Sequence, residues 1–363
     1  MTPRVKICGI TTPDLALSAA KAGADMIGLV HFAPSPRHLP LEAMALISEA
    51  TPEGITRVAL TVDADDATLA AIVEAAPDII QLHGRETPDR ARAIADRHGI
   101  AVLKAIGVAG AADVARAGAY GCDILFDAKP PKDATRPGGL GTAFDWSLLP
   151  QDGNFMLSGG LTPTTVAAAV TATRPNAVDV SSGVETDGAK DPAKMAAFVR
   201  AVRTAGITVE RIDPESPIAT AALSRYYGEL AARFEGGFDV TLSRDPDRAA
   251  LAPPHGAFLV ATRDGAPIGC VALKGGDTPE VKRLWVAPEA RGLGLATRLM
   301  AALEAEAAAL GLTHLRLDTN NALPEAAALY ARLGWREIER FNTDPYAHRF
   351  FEKRLTAAHN QPA

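Results

Sequence analysis

Between Arg4 and Thr204 the chain alternates short, almost unbroken apolar runs with longer segments whose apolar residues recur at helical spacing. Eight runs read as strands, at 5–8, 26–31, 57–62, 79–83, 102–106, 123–127, 155–158 and 177–181. Continuous apolar runs suit strands buried on both faces, as parallel strands are. Helix starts are marked by Thr12-Pro13-Asp14, Thr162-Pro163 and Asp191-Pro192, where a side-chain oxygen can accept from an orphan N–H and proline has none to lose. Eight strand–helix units in about two hundred residues predict a (β/α)8 barrel. An open doubly wound sheet would normally carry a Gly-rich turn after its first strand, and only Gly9 follows Cys8 there.

Past Gly206 the pattern changes. A strand at 207–212 leads to a helix at 219–233, then to an irregular stretch rich in Gly, Pro and Asp at 234–255. Strands at 258–262, 268–273 and 281–286, an Ala-rich helix at 295–310, a strand at 315–318, a helix at 325–333 and two closing strands complete it. That order is α+β. The expected domains are therefore 1–204 and 207–357, with a linker of a few residues. The stretch 234–255 is the expected specificity lid.

Composition narrows the function classes. The 363 residues carry a net charge of −6, and neither half has the basic excess that phosphate-backbone binding requires, so nucleic acid is not an expected partner. Cys8, Cys122 and Cys270 are odd in number and far apart, which argues against a disulfide framework or a zinc site and for a reducing compartment. No apolar stretch has membrane-spanning length and no signal-peptide core opens the chain, so a cytoplasmic location and no membrane partner are expected.

In a barrel the chemistry sits at the carboxyl ends of the strands. There the sequence places Cys8, Arg37, His83, Asp127, Gly159-Gly160 and Ser181-Ser182-Gly183. The last two loops are where barrels commonly hold phosphate, through backbone N–H groups; either loop alone would read as a tight turn, but the two in adjacent positions favour phosphate. Cys8 alone could be a small core hydrophobe. Lys6, two residues earlier on the same strand face, needs an anionic partner inside a barrel, and Asp179 on the eighth strand is placed to supply it.

The segments Lys6-Ile7-Cys8-Gly9-Ile10, Ser35-Pro36-Arg37, Gln81-Leu82-His83-Gly84, Phe126-Asp127, Ser158-Gly159-Gly160-Leu161 and Val178-Asp179-Val180-Ser181-Ser182-Gly183-Val184-Glu185 resemble, in this order, the phosphoribosylanthranilate isomerases. The resemblance covers residues 4 to about 204. It implies a cofactor-free Amadori rearrangement in tryptophan biosynthesis. Cys8 would be the base at C2′, Asp127 the acid at the ribose ring oxygen, and Arg37 the clamp on the anthranilate carboxylate. His83 and Asp179 would line the substrate site, with Gly159, Gly160, Ser182 and Gly183 around the phosphate. Those roles require an Asp127 pKa well above the usual ~3.9 and a Cys8 pKa below ~8.5. The family usually has a small polar residue where Leu140 stands in Gly138-Gly139-Leu140-Gly141, so the contacts of that loop are open. A barrel of altered sugar-phosphate specificity is disfavoured by the combination of Cys8, Arg37 and Asp127.

In the second domain, Arg291-Gly292-Leu293-Gly294-Leu295-Ala296 follows a strand and opens a helix. Successive N–H groups there suit a pyrophosphate; a nucleotide turn is the competing reading, and the α+β order does not supply its parallel βαβ unit. With Glu280-Val281-Lys282-Arg283-Leu284-Trp285-Val286-Ala287-Pro288 and Ala328-Leu329-Tyr330-Ala331-Arg332-Leu333-Gly334-Trp335, it resembles the GNAT acetyltransferases over about residues 207 to 356. The resemblance implies acetyl-CoA as co-substrate, held by Val286 and residues Arg291, Gly292, Leu293, Gly294, Leu295 and Ala296. Tyr330 would protonate the leaving thiolate, and Glu280 would relieve the acceptor amine of a proton. The rival reading keeps the isomerase and makes this domain a non-catalytic acyl-CoA-binding or packing module.

Overall fold

The computed structural model describes residues 2–129, 144–151, 153–242, 248–276 and 278–355. It divides into two compact units, Met1–Ala205 and Gly206–Ala363.

In the first unit, β1 (Arg4–Cys8), β2 (Met26–Val30), β3 (Thr56–Thr61), β4 (Ile79–Leu82), β5 (Ala101–Val108), β6 (Asp123–Ala128), β7 (Met156–Leu157) and β8 (Ala177–Val180) close into a parallel barrel in chain order. Around them lie α1 (Pro13–Ala22), α2 (Leu41–Ala50), α3 (Asp66–Glu74), α4 (Pro88–His98), the short α5 (Ala111–Ala115), α6 (Val166–Thr173) and α7 (Pro192–Thr204). The TIM-barrel expectation holds, with local differences. Thr12 caps α1 by accepting from Leu15 N, and Asp191 caps α7. Thr162 does not start α6, which begins at Val166 without a side-chain cap; the Thr162 N–H instead donates to Thr165 Oγ1. Among the described residues, only a single 3-10 turn, Trp146–Leu148, lies between β6 and β7. The loop containing Leu140 lies outside the described residues.

The barrel is filled from two sides. Outward-facing residues such as Val5, Ile7, Ile27 and Phe126 pack against the helices. Inward-facing Met26, Val58, Leu103, Leu125 and Met156 form an apolar plug. Nearer the carboxyl ends the interior turns polar: Lys6, Gln81, Ser158 and Asp179 are all buried. Only ion pairing and hydrogen bonding make such a layer tolerable.

The second unit is a seven-stranded sheet. After a two-residue hairpin (β9 Glu185–Thr186, β10 Ala189–Lys190) and α7 end the barrel, it comprises β11 (Thr208–Arg211), α8 (Pro217–Arg233), β12 (Gly256–Arg263), β13 (Ala266–Lys274) and β14 (Glu280–Val286). Then come α9 (Leu295–Ala309), β15 (His314–Thr319), α10 (Pro324–Arg332), β16 (Arg336–Ile338) and β17 (Arg349–Arg354). The sheet order is β11-β12-β13-β14-β15-β17-β16, and the α+β expectation holds. All pairings are antiparallel except β14 with β15. That parallel pair is in register only at Glu280↔Arg316 and Val281↔Leu317. Beyond it, β14 bulges against β13 between Lys282 and Trp285, with Arg283 at φ 57°. A bulge bends its strand and breaks pairing, which separates β14 from β15 midway along the sheet.

Candidate active sites

Cys8 and Lys6 share the inner face of β1, and Lys6 pairs directly with Asp179 across the β1–β8 ladder. The Lys6 ammonium lies 2.9 Å from Asp179 Oδ1, and Ser158 Oγ donates to Asp179 Oδ2 at 3.2 Å. Burial works against the Lys6 charge, but Asp179 and Cys8 outweigh it and hold the ammonium pKa up. Room for the pair comes from Gly28 on β2, where a Cβ would stand 2.6 Å from Cys8 Sγ and 3.0 Å from Lys6 Nζ.

The expected depression of the Cys8 pKa is not found. Burial pushes the thiol up, and the pull of Lys6 and Lys190 does not reverse it. Burial is the chief reason, and the Asp179 carboxylate, which already matches the Lys6 charge, opposes a thiolate further. A thiolate formed here would still have two ammonium groups beside it.

Asp127 is the penultimate residue of β6 and is buried, with Oδ1 accepting from the Ala128 N–H at 2.8 Å. The His83 Nε2 lies 3.5 Å from Asp127 Oδ2, and Gln81 Nε2 is 3.0 Å from His83 Nδ1. With Gln81 donating, the Nε2 hydrogen of a neutral His83 faces the aspartate. The loop carrying His83 is held from beneath by Lys104, which is 2.8 Å from Glu86 Oε2 and donates to Gly84 O at 2.7 Å. β6 stands three places from β1 around the closed ring, so Asp127 and Cys8 rise from well-separated strands at the same mouth.

Arg37 lies across Gly9, where a Cβ would be 2.3 Å from Arg37 Cδ. Its Nε and Nη2 form a two-pronged pair with Glu185 at 2.7 Å each. Lys190 Nζ sits 2.6 Å from the same carboxylate and donates to Ser181 O at 2.9 Å, while Ser181 Oγ donates to Cys8 O at 3.0 Å. Burial alone would raise the Glu185 pKa, and the two cations bring it below the usual range. Arg37 is thus tied to the hairpin after β8, a link the sequence did not reveal. Gly159 and Gly160 both have positive φ, and Gly159 packs against Ala128 N beside Asp127. Ser182 and Gly183 lie in a 3-10 turn; a Cβ on Gly183 would be 1.9 Å from Leu161 O, so only glycine lets the two loops meet.

In the second unit, Gly292 and Gly294 have φ of 78° and 75°, and Gly294 caps the fifteen-residue α9. Open space lies where a Cβ on either would stand. They border a cavity of about 420 Å³ also lined by Val286, Arg291, Leu295 and Ala296. Arg291 is held at the cavity wall by Glu229 (2.5 Å) and Val286 O (3.1 Å), which line it too. A second cavity, about 120 Å³, holds Tyr330 in its wall with Lys282 and Asp318. Tyr226, Leu230, Leu284, Leu323 and Ala326 line both cavities.

Burial, then the neighbouring Asp318, pushes the Tyr330 phenol well above its ordinary range. Glu280 is not brought to this wall. It is almost fully buried and lies 2.9 Å from Lys282 Nζ, which in turn is 2.8 Å from Asp318 Oδ2. Side chains two apart on a strand share a face, so Lys282 covers Glu280, and the carboxylates that line the cavity are Asp318 and Asp344.

A buried thiol on β1 and a buried carboxyl on β6, above the Lys6–Asp179 pair and beside two glycine-bearing loops, mark the carboxyl end of the barrel as the candidate active site of a barrel enzyme. The family model for N-(5'-phosphoribosyl)anthranilate (PRA) isomerase matches residues 5–201, more than half of the chain. The chain belongs to that family. It is 52% identical over 212 residues to the N-(5'-phosphoribosyl)anthranilate isomerase of Rhodopseudomonas palustris strain BisB5, covering 56% of this chain and 97% of that protein. The Nitrobacter winogradskyi isomerase is 50% identical over 221 residues, 59% of this chain and 98% of its own length. The crystal structure of the Thermotoga maritima phosphoribosyl anthranilate isomerase superposes with a TM-score of 0.50 at 38% identity, covering 55% of this chain and 98% of that one. The second unit carries an acetyltransferase (GNAT) family domain, matched over residues 222–335. Among the described residues no helix is long and apolar enough to cross a membrane.

Proposed function

We propose that the barrel converts N-(5'-phosphoribosyl)anthranilate into 1-(2-carboxyphenylamino)-1-deoxyribulose 5-phosphate, a step of tryptophan biosynthesis, and that the second unit acetylates an amine from acetyl-CoA. The observation that carries the first half is the placement of Cys8 and Asp127 on well-separated strands at one mouth, over the Lys6–Asp179 pair. Asp127 gives its proton to the ribose ring oxygen, and the ring opens to a protonated imine. That cation acidifies the C2′ hydrogen, which Cys8 removes; the resulting enolamine tautomerises to the ketone. One proton enters, one leaves, and no redox partner is needed. His83 orients Asp127. The Arg37 donors not taken by Glu185, the two on Nη1 and the second on Nη2, would serve the anthranilate carboxylate. The loops at Gly159-Gly160 and Ser182-Gly183 take the phosphate, at the place where barrels commonly do.

For the second half, the open space beside Gly292 and Gly294 at the start of α9 fits a pyrophosphate. Residues Val286 and 291–296 would hold acetyl-CoA, which supplies an activated acetyl thioester. A protonated Tyr330 returns a proton to the departing sulfur, and its raised pKa keeps it protonated at neutral pH. Asp318, in place of Glu280, is the carboxylate that receives the amine's proton. Purified full-length chain tests both halves, by PRA consumption with ketone product and by free thiol release from acetyl-CoA over an amine panel. Acetyl-CoA binding without turnover of any amine would favour the non-catalytic rival.

A further inference from the structure

The smaller cavity of the second unit has one wall that acetyl-CoA binding does not explain. Tyr226, Tyr227, Phe234, Phe238 and Tyr346 line it continuously. The rings are in mutual contact: Phe238 and Tyr346 have centroids 4.8 Å apart, Tyr227 and Phe238 5.6 Å, and Phe234 and Tyr346 5.8 Å. The segment after α8 is fastened over the cavity by Tyr346, whose hydroxyl accepts from the Asp239 N–H at 3.0 Å. Opposite the rings stand Asp318, Lys282 and Tyr330, at the place where β14 and β15 part.

From this wall we infer that the acceptor is a small primary amine with a compact apolar body, aromatic or branched aliphatic, held by the rings with its nitrogen toward Asp318. The inference rests on the acetyl-transfer reading above. Size sets the first limit. A cavity of about 120 Å³ is close to the ~150 Å³ that accommodates benzene in an engineered core. A peptide or an amino sugar exceeds it. Polarity favours the same class: a hydrocarbon body gains from contact with the rings what a polyol does not, and the polar lining of Lys282, Asp318, Asn320 and Asp344 is left to the amino group. Length sets a further limit, because a polyamine chain would run past the rings and carry its further ammonium groups against Lys282 and Arg283 as well as Asp318 and Asp344. In the transfer the nitrogen lone pair forms the C–N bond and the C–S bond breaks. The amine's proton passes to Asp318, and the thiolate takes the proton of Tyr330, which the Asp318 proton then replaces.

The test uses full-length chain saturated with acetyl-CoA. Benzylamine and cyclohexylamine are compared with glucosamine, spermidine and a free-N-terminal hexapeptide, with binding followed by ligand-observed NMR and transfer by thiol release. The first two should bind, and their kcat/KM should exceed the others by at least about tenfold. Phe238→Ala should weaken benzylamine by about tenfold, the worth of a well-placed aromatic contact, and Phe238→Leu should weaken it less. The thermal shift given by acetyl-CoA reports that each variant is folded. Benzylamine binding without turnover would support the acceptor class and sink the transfer reading. Turnover of glucosamine, spermidine or the peptide without benzylamine binding would overturn the acceptor class and leave transfer standing. If benzylamine neither binds nor reacts, the inference fails whatever else is seen.

Discussion

At the scale of single residues the account depends on the state of Cys8. A base acts in its deprotonated form, and burial raises the Cys8 pKa above the ordinary thiol value. Below that pKa the thiolate fraction rises tenfold per pH unit, so the ultraviolet thiolate absorbance of Cys8, taken as the difference from the Cys8→Ala variant, should grow across pH 7–9; kcat/KM also carries the loss of the Asp127 proton and does not isolate the base. A thiolate signal already complete at pH 7 would mean that the thiolate is preformed. Lys190 offers a second check. It joins Glu185 to Ser181 while buried, and Lys190→Met leaves both acceptors short of a donor, costing ~2 kcal/mol. A lowered Tm and a raised KM are expected; an unchanged Tm would show that Arg37 alone suffices for Glu185. Much of this site was legible in the sequence. Lys6 and Cys8 announced a shared face by their spacing, and Asp179 was the partner the buried ammonium needed. Lys190 was not legible, because its partners lie in loops whose folding no periodicity encodes. The direction of the Cys8 shift was also out of reach, since it depends on the desolvation of the folded site. Glu280 was misjudged for a related reason: a strand start gives no sign that the residue two positions on will cover it.

At the scale of elements, the proposed phosphate site depends on two loops that meet closely at Gly183 and Leu161. A Cβ on Gly183 would meet the Leu161 carbonyl oxygen at 1.9 Å. Since neither atom belongs to a flexible side chain, Gly183→Ala must part the loops. KM for the phosphorylated substrate should rise several-fold while kcat changes less, because a clamp remote from the reacting carbon binds ground and transition states alike. Equal losses in kcat with KM unchanged would place this contact elsewhere in the mechanism. The strands were legible because parallel strands buried on both faces make unbroken apolar runs. The start of α6 was not, because Thr162-Pro163 has the composition of a cap yet folds as a turn in which Thr165 Oγ1 takes the Thr162 N–H. In the second sheet the order of elements could be read, but the bulge at Arg283 could not. That irregularity, which separates β14 from β15, is what makes room for the cavities.

At the scale of the molecule, two units share one chain but no site residue. Replacing Gly292 and Gly294 together by valine would fill the open space beside α9 and force both residues out of positive φ. The acetyl-CoA thermal shift, which mass action gives to any ligand bound only by the folded state, should vanish, with isomerase kcat/KM unchanged. Loss of both would contradict independent sites. The change from strand–helix alternation to α+β order near Gly206 was plain in the sequence, because it alters the period of the pattern. The acceptor cavity was not, because its five rings come from α8, the segment following it and the approach to β17. The most direct test of the central claim is turnover of N-(5'-phosphoribosyl)anthranilate by the folded full-length chain and by its Asp127→Asn variant. An amide of the same shape cannot supply the ring-opening proton, so kcat should fall by at least ~10². Near-wild-type turnover by the variant would remove Asp127 from the chemistry, and with it the acid/base pair on which the isomerase mechanism rests.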